Sequence, residues 1–175
     1  MENELPEQLD FERHRSLDGR RKAVVLRRVA VGFLSAFLVA GLAGAFGQGT
    51  SAVVADGSGA TLTVTAPGRV RGGLLFQARF EVMALTTLAK PTIVLQDGWL
   101  EGSTMNTLTP APTKETSRTG SLALEFEPMR PGDLLTIYAD FQVNPAGLGR
   151  RAQRVELRDG GRLVAWIPRT MTIFP

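Results

Sequence analysis

Nineteen consecutive residues, 29–47, read VAVGFLSAFLVAGLAGAFG, with no charge and only Ser35 polar. As a helix this run rises about 28 Å, close to the roughly 30 Å hydrocarbon thickness of a bilayer. A helix apolar on every side cannot be surrounded by a domain as small as the rest of this 175-residue chain can supply. The segment therefore reads as one transmembrane helix. Arg20, Arg21, Lys22, Arg27 and Arg28 crowd its N-terminal flank, and the next base is Arg69. By the positive-inside rule the N-terminus lies in the cytoplasm, and the chain beyond the span lies outside, in a periplasm or the extracellular space. The expected location is the cytoplasmic (inner) membrane, crossed once.

A cleaved signal peptide competes with this reading, because Ala43-Gly44-Ala45 has the small-x-small form of a cleavage site and Val53-Val54-Ala55 offers a weaker one. The apolar run exceeds the about 7 to 15 residues of a signal core and its 28-residue leader is long, which favours the anchor. Arg20-Arg21 lacks the Ser/Thr before it and the bulky apolar residues after it that a twin-arginine signal prefers. Within the span Gly32, Ala36, Ala40 and Gly44 recur every four residues, a small-xxx-small stripe that lets a second helix approach closely. That stripe points to a homodimer or to docking on another membrane protein. The plainer reading is that Gly and Ala are common in membrane helices and that a period of 4 drifts around a 3.6-residue helix.

Charge is uneven along the chain. Residues 1–12 carry five acids and no base, and residues 13–28 carry seven bases and one acid. Residues 1–28 are expected as a cytoplasmic tail whose basic half lies on anionic headgroups, with His14 solvated within it. Residues 48–175 hold 13 bases and 11 acids, which gives no basis for nucleic-acid binding. The stretch GQGTSAVVADGSGA after the span reads as a flexible tether over 48–59.

From residue 60 onward apolar residues alternate with period 2 between Pro and Gly punctuation. The clearest case is 74–85, where Phe76, Ala78, Phe80, Val82 and Ala84 share one face and Gln77, Arg79 and Glu81 the other. Further strands are expected at 61–65, 92–96, 99–108, 121–127, 134–143, 152–158 and 162–174, the last interrupted by Pro168. Arg158-Asp159-Gly160-Gly161 and Pro131-Gly132 supply turn chemistry for antiparallel pairing. The expected core is Leu62, Val64, Phe76, Phe80, Val82, Ile93, Leu95, Leu122, Leu124, Phe126, Leu135, Ile137, Phe141, Val143, Val155, Leu157 and Ile173. The stretch EPMRPGDLLTIYADFQVNP, with the terminal strand TMTIFP, resembles the Pro-Gly turn and the last two strands of bacterial immunoglobulin-like sandwich domains. The cysteine pair and intervening Trp of antibody-type domains are absent. The resemblance implies an architecture: an all-β, immunoglobulin-like antiparallel β-sandwich over 60–175, preceded by a single N-terminal transmembrane helix. Such domains act as spacers, adhesion modules or assembly parts.

Residues 48–175 contain no His and no Cys, so a Ser-His-Asp triad, a Cys-His pair and the usual zinc or copper sites cannot be built there. No Walker or dinucleotide fingerprint occurs, and no cofactor is expected. Asp97-Gly98 and Asp159-Gly160 are isolated turn acids without the spacing of a calcium loop. Glu125 and Glu127, on one face of a strand about 7 Å apart, are the one carboxylate pair with glycosidase spacing, and a solvated strand face is the plainer account. No catalytic or metal residue is therefore assigned. The interaction candidates are the helix stripe and the basic cluster Arg150, Arg151, Arg154, Arg158, Arg162 and Arg169, of which Arg154, Arg158 and Arg162 are the chosen contacts. Arg154, Glu156 and Arg158 are expected on an exposed strand face, suited to lipid phosphate, an anionic envelope polymer or an acidic partner. Trp99 and Trp166 are a candidate sugar platform, with core packing as the alternative, and 109–120 reads as a long loop. The sequence thus points to a non-enzymatic interaction or accessory subunit, with a cell-envelope binding module for an anionic polymer or glycan as the alternative.

Overall fold

The computed structural model describes residues 17–44, 48–96 and 98–175, with side chains from Lys22 onward. The acidic segment 1–12, His14, the side chains of Arg20 and Arg21, Ala45 of the first cleavage sequence and Asp97 lie outside the described residues. The chain divides into two units, Met1–Gly47 and Gln48–Pro175.

Among its described residues the first unit holds one helix, α1 (Leu17–Leu42). Its part Lys22–Leu42 is long and apolar enough to cross a membrane, and the side chains from Lys22 to Val39 are exposed. The helix stops five residues short of the expected end of the span. Ala43 still donates to the Val39 carbonyl, but Gly44 has φ +76 and donates to Gly41, which turns the backbone out of the helix. Gly32, Ala36 and Ala40 lie on α1, and Gly44 does not.

The second unit is a sandwich of two sheets. One has the order β1 (Thr50–Asp56), β2 (Ala60–Pro67), β4 (Leu75–Ala84), β9 (Leu134–Val143) and β6 (Ser103–Thr109). The other has the order β3 (Arg69–Arg71), β11 (Arg162–Phe174), β10 (Gly149–Asp159), β5 (Pro91–Gln96), β8 (Ser121–Glu125) and β7 (Lys114–Arg118). All pairings are antiparallel except β3 with β11. This is the all-β sandwich that period-2 patterning implies, of the immunoglobulin-like kind that the resemblance implies. Every expected core residue is buried except Leu135, which is half-buried against the core. At the centre Phe76 stacks on Phe141 at 5.1 Å, and Trp99 packs against Phe80 at 5.4 Å and Phe141 at 5.5 Å.

Within the sandwich, four expectations about where strands and loops run are corrected. Residues 50–56 are not tether but strand, with Val53 opposite Val64 in the ladder to β2. The 109–120 segment contains β7, paired along β8 from Lys114 opposite Glu125 to Arg118 opposite Ser121. The strand expected from Trp99 starts only at Ser103, because Gly98 (φ +74) and Gly102 (φ +74) bend the chain and drop Trp99 into the core. Pro168 does not interrupt β11. β3 reaches only Thr172–Phe174, so at Pro168 the strand has one unpaired edge and a missing N–H is tolerated.

Candidate interaction surface

The outer face of the six-stranded sheet carries the most organised polar cluster among the described residues. Glu156 alternates with Val155 and Leu157 along β10 and so points away from the core, yet it is only 2% exposed. Arg154 and Arg158, its neighbours on the same face, fold over it. Arg154 Nη2 lies 2.8 Å from Glu156 Oε1, and Arg158 Nη2 and Nε lie 2.6 and 2.8 Å from Oε2. Arg158 Nη1 also donates to the Gly161 carbonyl at 3.3 Å, which ties the cluster to the β10–β11 turn. A carboxylate this buried is tolerated because both its oxygens accept charge-assisted bonds.

Trp166 completes the cluster from β11. It stands opposite Glu156 in the ladder, is 45% exposed, and its ring lies 4.5 Å from the Arg154 guanidinium carbon. A bulge sets this pairing: the register shifts between Leu157 and Arg158, where β11 contributes the extra residue Val164. An unshifted hairpin would have placed Ala165 opposite Glu156.

Beside this ridge runs a shallow trough of about 340 Å³. Its floor is made by Thr92, Val94 and Gln96 of β5 with Ser121 and Ala123 of β8; Arg158 and Gly161 form one wall, Thr116 and Arg118 of edge strand β7 the other. Small and hydroxyl side chains on the two middle strands leave the hollow. Arg118, at the trough's rim, is exposed and makes no ion pair with a described residue.

The arginine cluster expected from the sequence does not act as one patch. Arg154 and Arg158 converge on Glu156, whereas Arg162 sits at the turn 3.8 Å from Asp159. Arg151 faces Glu101 at 3.9 Å and Arg150 is exposed at the start of β10. Arg169 points inward: its Nη2 donates to the carbonyls of Ala66 and Pro67, at 2.9 and 3.0 Å, on the opposite sheet, and its guanidinium carbon lies 5.5 Å over Trp99. Burial lowers the Arg169 pKa from its ordinary value. Glu156, expected as exposed, is buried under its partners.

A paired sugar platform is ruled out, because Trp99 is 1% exposed in the core while Trp166 is on the surface. The Glu125 and Glu127 pair is also not two alternate positions of one strand, since β8 ends at Glu125. Asp140, on the outer face of the five-stranded sheet, accepts bonds from Thr107 Oγ1 and from Gln77 Nε2, the latter at 2.9 Å. These two donors, Thr107 first, hold its carboxyl below the usual value.

Fold and surface together define the class, an immunoglobulin-like β-sandwich module. No protein-family model and no curated protein matches the sequence. Among solved structures the chain is similar to CaCohA2 from Clostridium acetobutylicum, at 14% identity and a TM-score of 0.44 over 67% of this chain and 92% of that one. It is similar to a non-cellulosomal cohesin from the hyperthermophilic archaeon Archaeoglobus fulgidus at 13% identity and a TM-score of 0.44, over 72% and 91% of the two chains. A chain in the crystal structure of a CaDoc0917–CaCohA2 complex aligns at 12% identity and a TM-score of 0.41, over 61% and 94%. Likeness at this level says nothing of activity or partner.

Proposed function

We propose that the chain is a single-pass membrane protein whose sandwich, outside the cytoplasm, serves as a non-enzymatic interaction or accessory subunit. The observation that carries this reading is the Arg154–Glu156–Arg158 ridge with Trp166 beside it. Exposed tryptophan and arginine are the side chains that most often anchor protein interfaces. Here Arg154 packs on the Trp166 ring and Arg154 and Arg158 are bonded to Glu156, contacts that lower the side-chain entropy lost on docking. Residues 48–175 supply no His or Cys for nucleophilic or metal chemistry. The stripe Gly32, Ala36 and Ala40 on α1 offers a second contact, toward another helix in the bilayer. The alternative, a cell-envelope binding module for an anionic polymer or glycan, has less support. Arg158, one of its expected contacts, already directs Nε, Nη1 and Nη2 at Glu156 and Gly161.

The test is co-purification from native membranes in mild detergent, using the full chain tagged at its C-terminus. A stoichiometric membrane partner that is lost on Trp166→Ala, with the sandwich still folded, supports the reading. Recovery of the protein alone, shortened at its N-terminus and retained by an anionic polymer in a salt-sensitive way, would sink it.

A further inference from the structure

We propose that one end of the sandwich, the end where the chain enters β1 at Thr50, docks on an anionic lipid bilayer surface. This rests on the membrane anchoring proposed above.

Four exposed leucines gather at this end: Leu74 (45%), Leu75 (59%), Leu100 (38%) and Leu148 (44%). The backbone brings their loops together. Gly73 donates to the Val143 carbonyl and Val143 to the Leu74 carbonyl, which seats the β3–β4 turn against the end of β9. A Cβ on Gly72 would lie 3.0 Å from the Pro145 carbonyl oxygen and 3.5 Å from Leu148 Cδ2, so Leu148 covers that turn. The loop bearing Leu100 joins them, because Asn144 donates to Gly102 and a Cβ on Gly102 would be 3.5 Å from Gly147. Leucines on adjoining turns and at the start of β4 form the kind of exposed apolar group that marks a contact surface.

Charge selects the occupant. The stretches 66–75, 96–103, 118–121, 143–151 and 174–175, which belong to this end, hold in the sequence five arginines against two acidic side chains. The opposite end, made of 56–60, 84–91, 109–114, 125–134 and 159–162, carries four bases against five acids. Leu85 and Leu134 are exposed there too, but without the cationic surround. Arg69, Arg118 and Arg150 are exposed and make no ion pair with a described residue, and Arg71 is exposed with only its Nε engaged, donating to the Pro175 oxygen at 3.0 Å, so these guanidiniums can meet lipid phosphates while the leucines enter the interface. Connectivity favours a bilayer over a soluble acidic protein. Only seven residues separate Leu42 of α1 from Thr50 of β1, a reach of at most about 29 Å. Thr50 pairs with Pro67 at this same end. A surface held that close to lipid meets it at high effective concentration, so weak contacts suffice.

The chain has no cysteine, so single labels can be placed without removing one. The full chain is reconstituted into vesicles of phosphatidylglycerol and phosphatidylcholine, carrying an environment-sensitive fluorophore at Leu75→Cys or, at the opposite end, at Ser58→Cys. The expected result is a blue shift and quenching by brominated acyl chains at position 75 and neither at position 58. The shift should shrink when Arg69, Arg71 and Arg150 become Gln or when phosphatidylglycerol is omitted. If the chain floats with the vesicles after carbonate washing but position 75 is as aqueous as position 58, the docking proposal is overturned and the anchor stands. If the chain does not float, the anchor fails and the docking proposal falls with it.

Discussion

Glu156 and Trp166 face each other across the β10–β11 ladder and share one guanidinium: Arg154 reaches the carboxylate with Nη2 at 2.8 Å and lies 4.5 Å from the indole centroid. The exposed tryptophan is thereby held by a buried charge. Removing the charge should free both arginines and the ring. Glu156→Ala leaves two guanidiniums, each about 40% exposed or less, without their common partner. A loss of about 2 to 4 kcal/mol is expected, the low end of the range reflecting solvent access to the arginines. Urea unfolding of Glu156→Ala within about 0.5 kcal/mol of the parent, the scatter of ordinary surface changes, would show the cluster to be surface decoration.

Arg169 joins the two sheets from inside, through two carbonyls of β2 and the face of Trp99. Arg169→Lys keeps a positive charge but loses the planar guanidinium that lies over the indole while its Nη2 reaches both carbonyls, so it should not rescue. Both Arg169→Lys and Arg169→Met should destabilise, the latter by about 2 kcal/mol through the unpaired carbonyls, with a change in Trp99 fluorescence. Parent-like stability of Arg169→Lys would mean that charge alone is what matters.

How much of this was legible in the sequence depends on which side of a strand each residue occupies. Phe76, Phe80, Ile137 and Phe141 alternate strictly, and the core they form follows from period 2. Parity alone also turns Arg169 inward, since Ile167, Met171 and Ile173 are core residues on the same strand, but the density of arginines around it suggested a surface patch. Strands β1 and β7 escape the pattern because they are edge strands: TSAVVAD is almost wholly exposed and KETSR wholly so. Their order comes from backbone ladders to β2 and β8, which hydrophobic alternation does not report. The site was legible only in part. Arg154 and Arg158 are identifiable on one face, but the pairing of Glu156 with Trp166 depends on a one-residue bulge at Val164, which no local residue pattern announces.

Asp140 predicts a small acid-side effect of definite sign. Its folded pKa lies below the unfolded value of about 3.9, so the stabilisation is present above that value and is lost as pH falls through the lower, folded one. Asp140→Asn should flatten this part of the acid limb while altering neutral-pH stability by less than about 1 kcal/mol, because the group is open to solvent screening. Acid titrations of parent and variant that superimpose would exclude a contribution from the Thr107 and Gln77 bonds.

Gly98 tests the bend that buries Trp99. Its φ of +74 and the 2.3 Å separation between a Cβ there and the Ala152 carbonyl oxygen leave no room for a side chain. Gly98→Ala should cost about 2 kcal/mol or more and loosen the Trp99 packing, read as a red shift of its emission. The exposed Gly132, also at positive φ but with nothing within 4 Å of a Cβ, should lose only the conformational part, about 1 kcal/mol. Equal losses at both sites would mean that the Ala152 clash relaxes at no cost.

Membrane topology gives the last prediction, and the strand pairing sharpens it. Cleavage after Ala55 would cut inside β1, where Ala55 pairs with Leu62, and would strip most of an edge strand that covers β2. Cleavage after Ala45 would spare the whole sandwich. An anchored chain should keep its full 18.9 kDa. A cysteine at Ser58 should react with an impermeant maleimide on intact cells, and one at Leu5 only after permeabilisation, in accord with the basic N-terminal flank. Labelling at Leu5 on intact cells would reverse the orientation. A product beginning after residue 45, with Ser58→Cys found in the medium, would replace the anchor with a secreted sandwich.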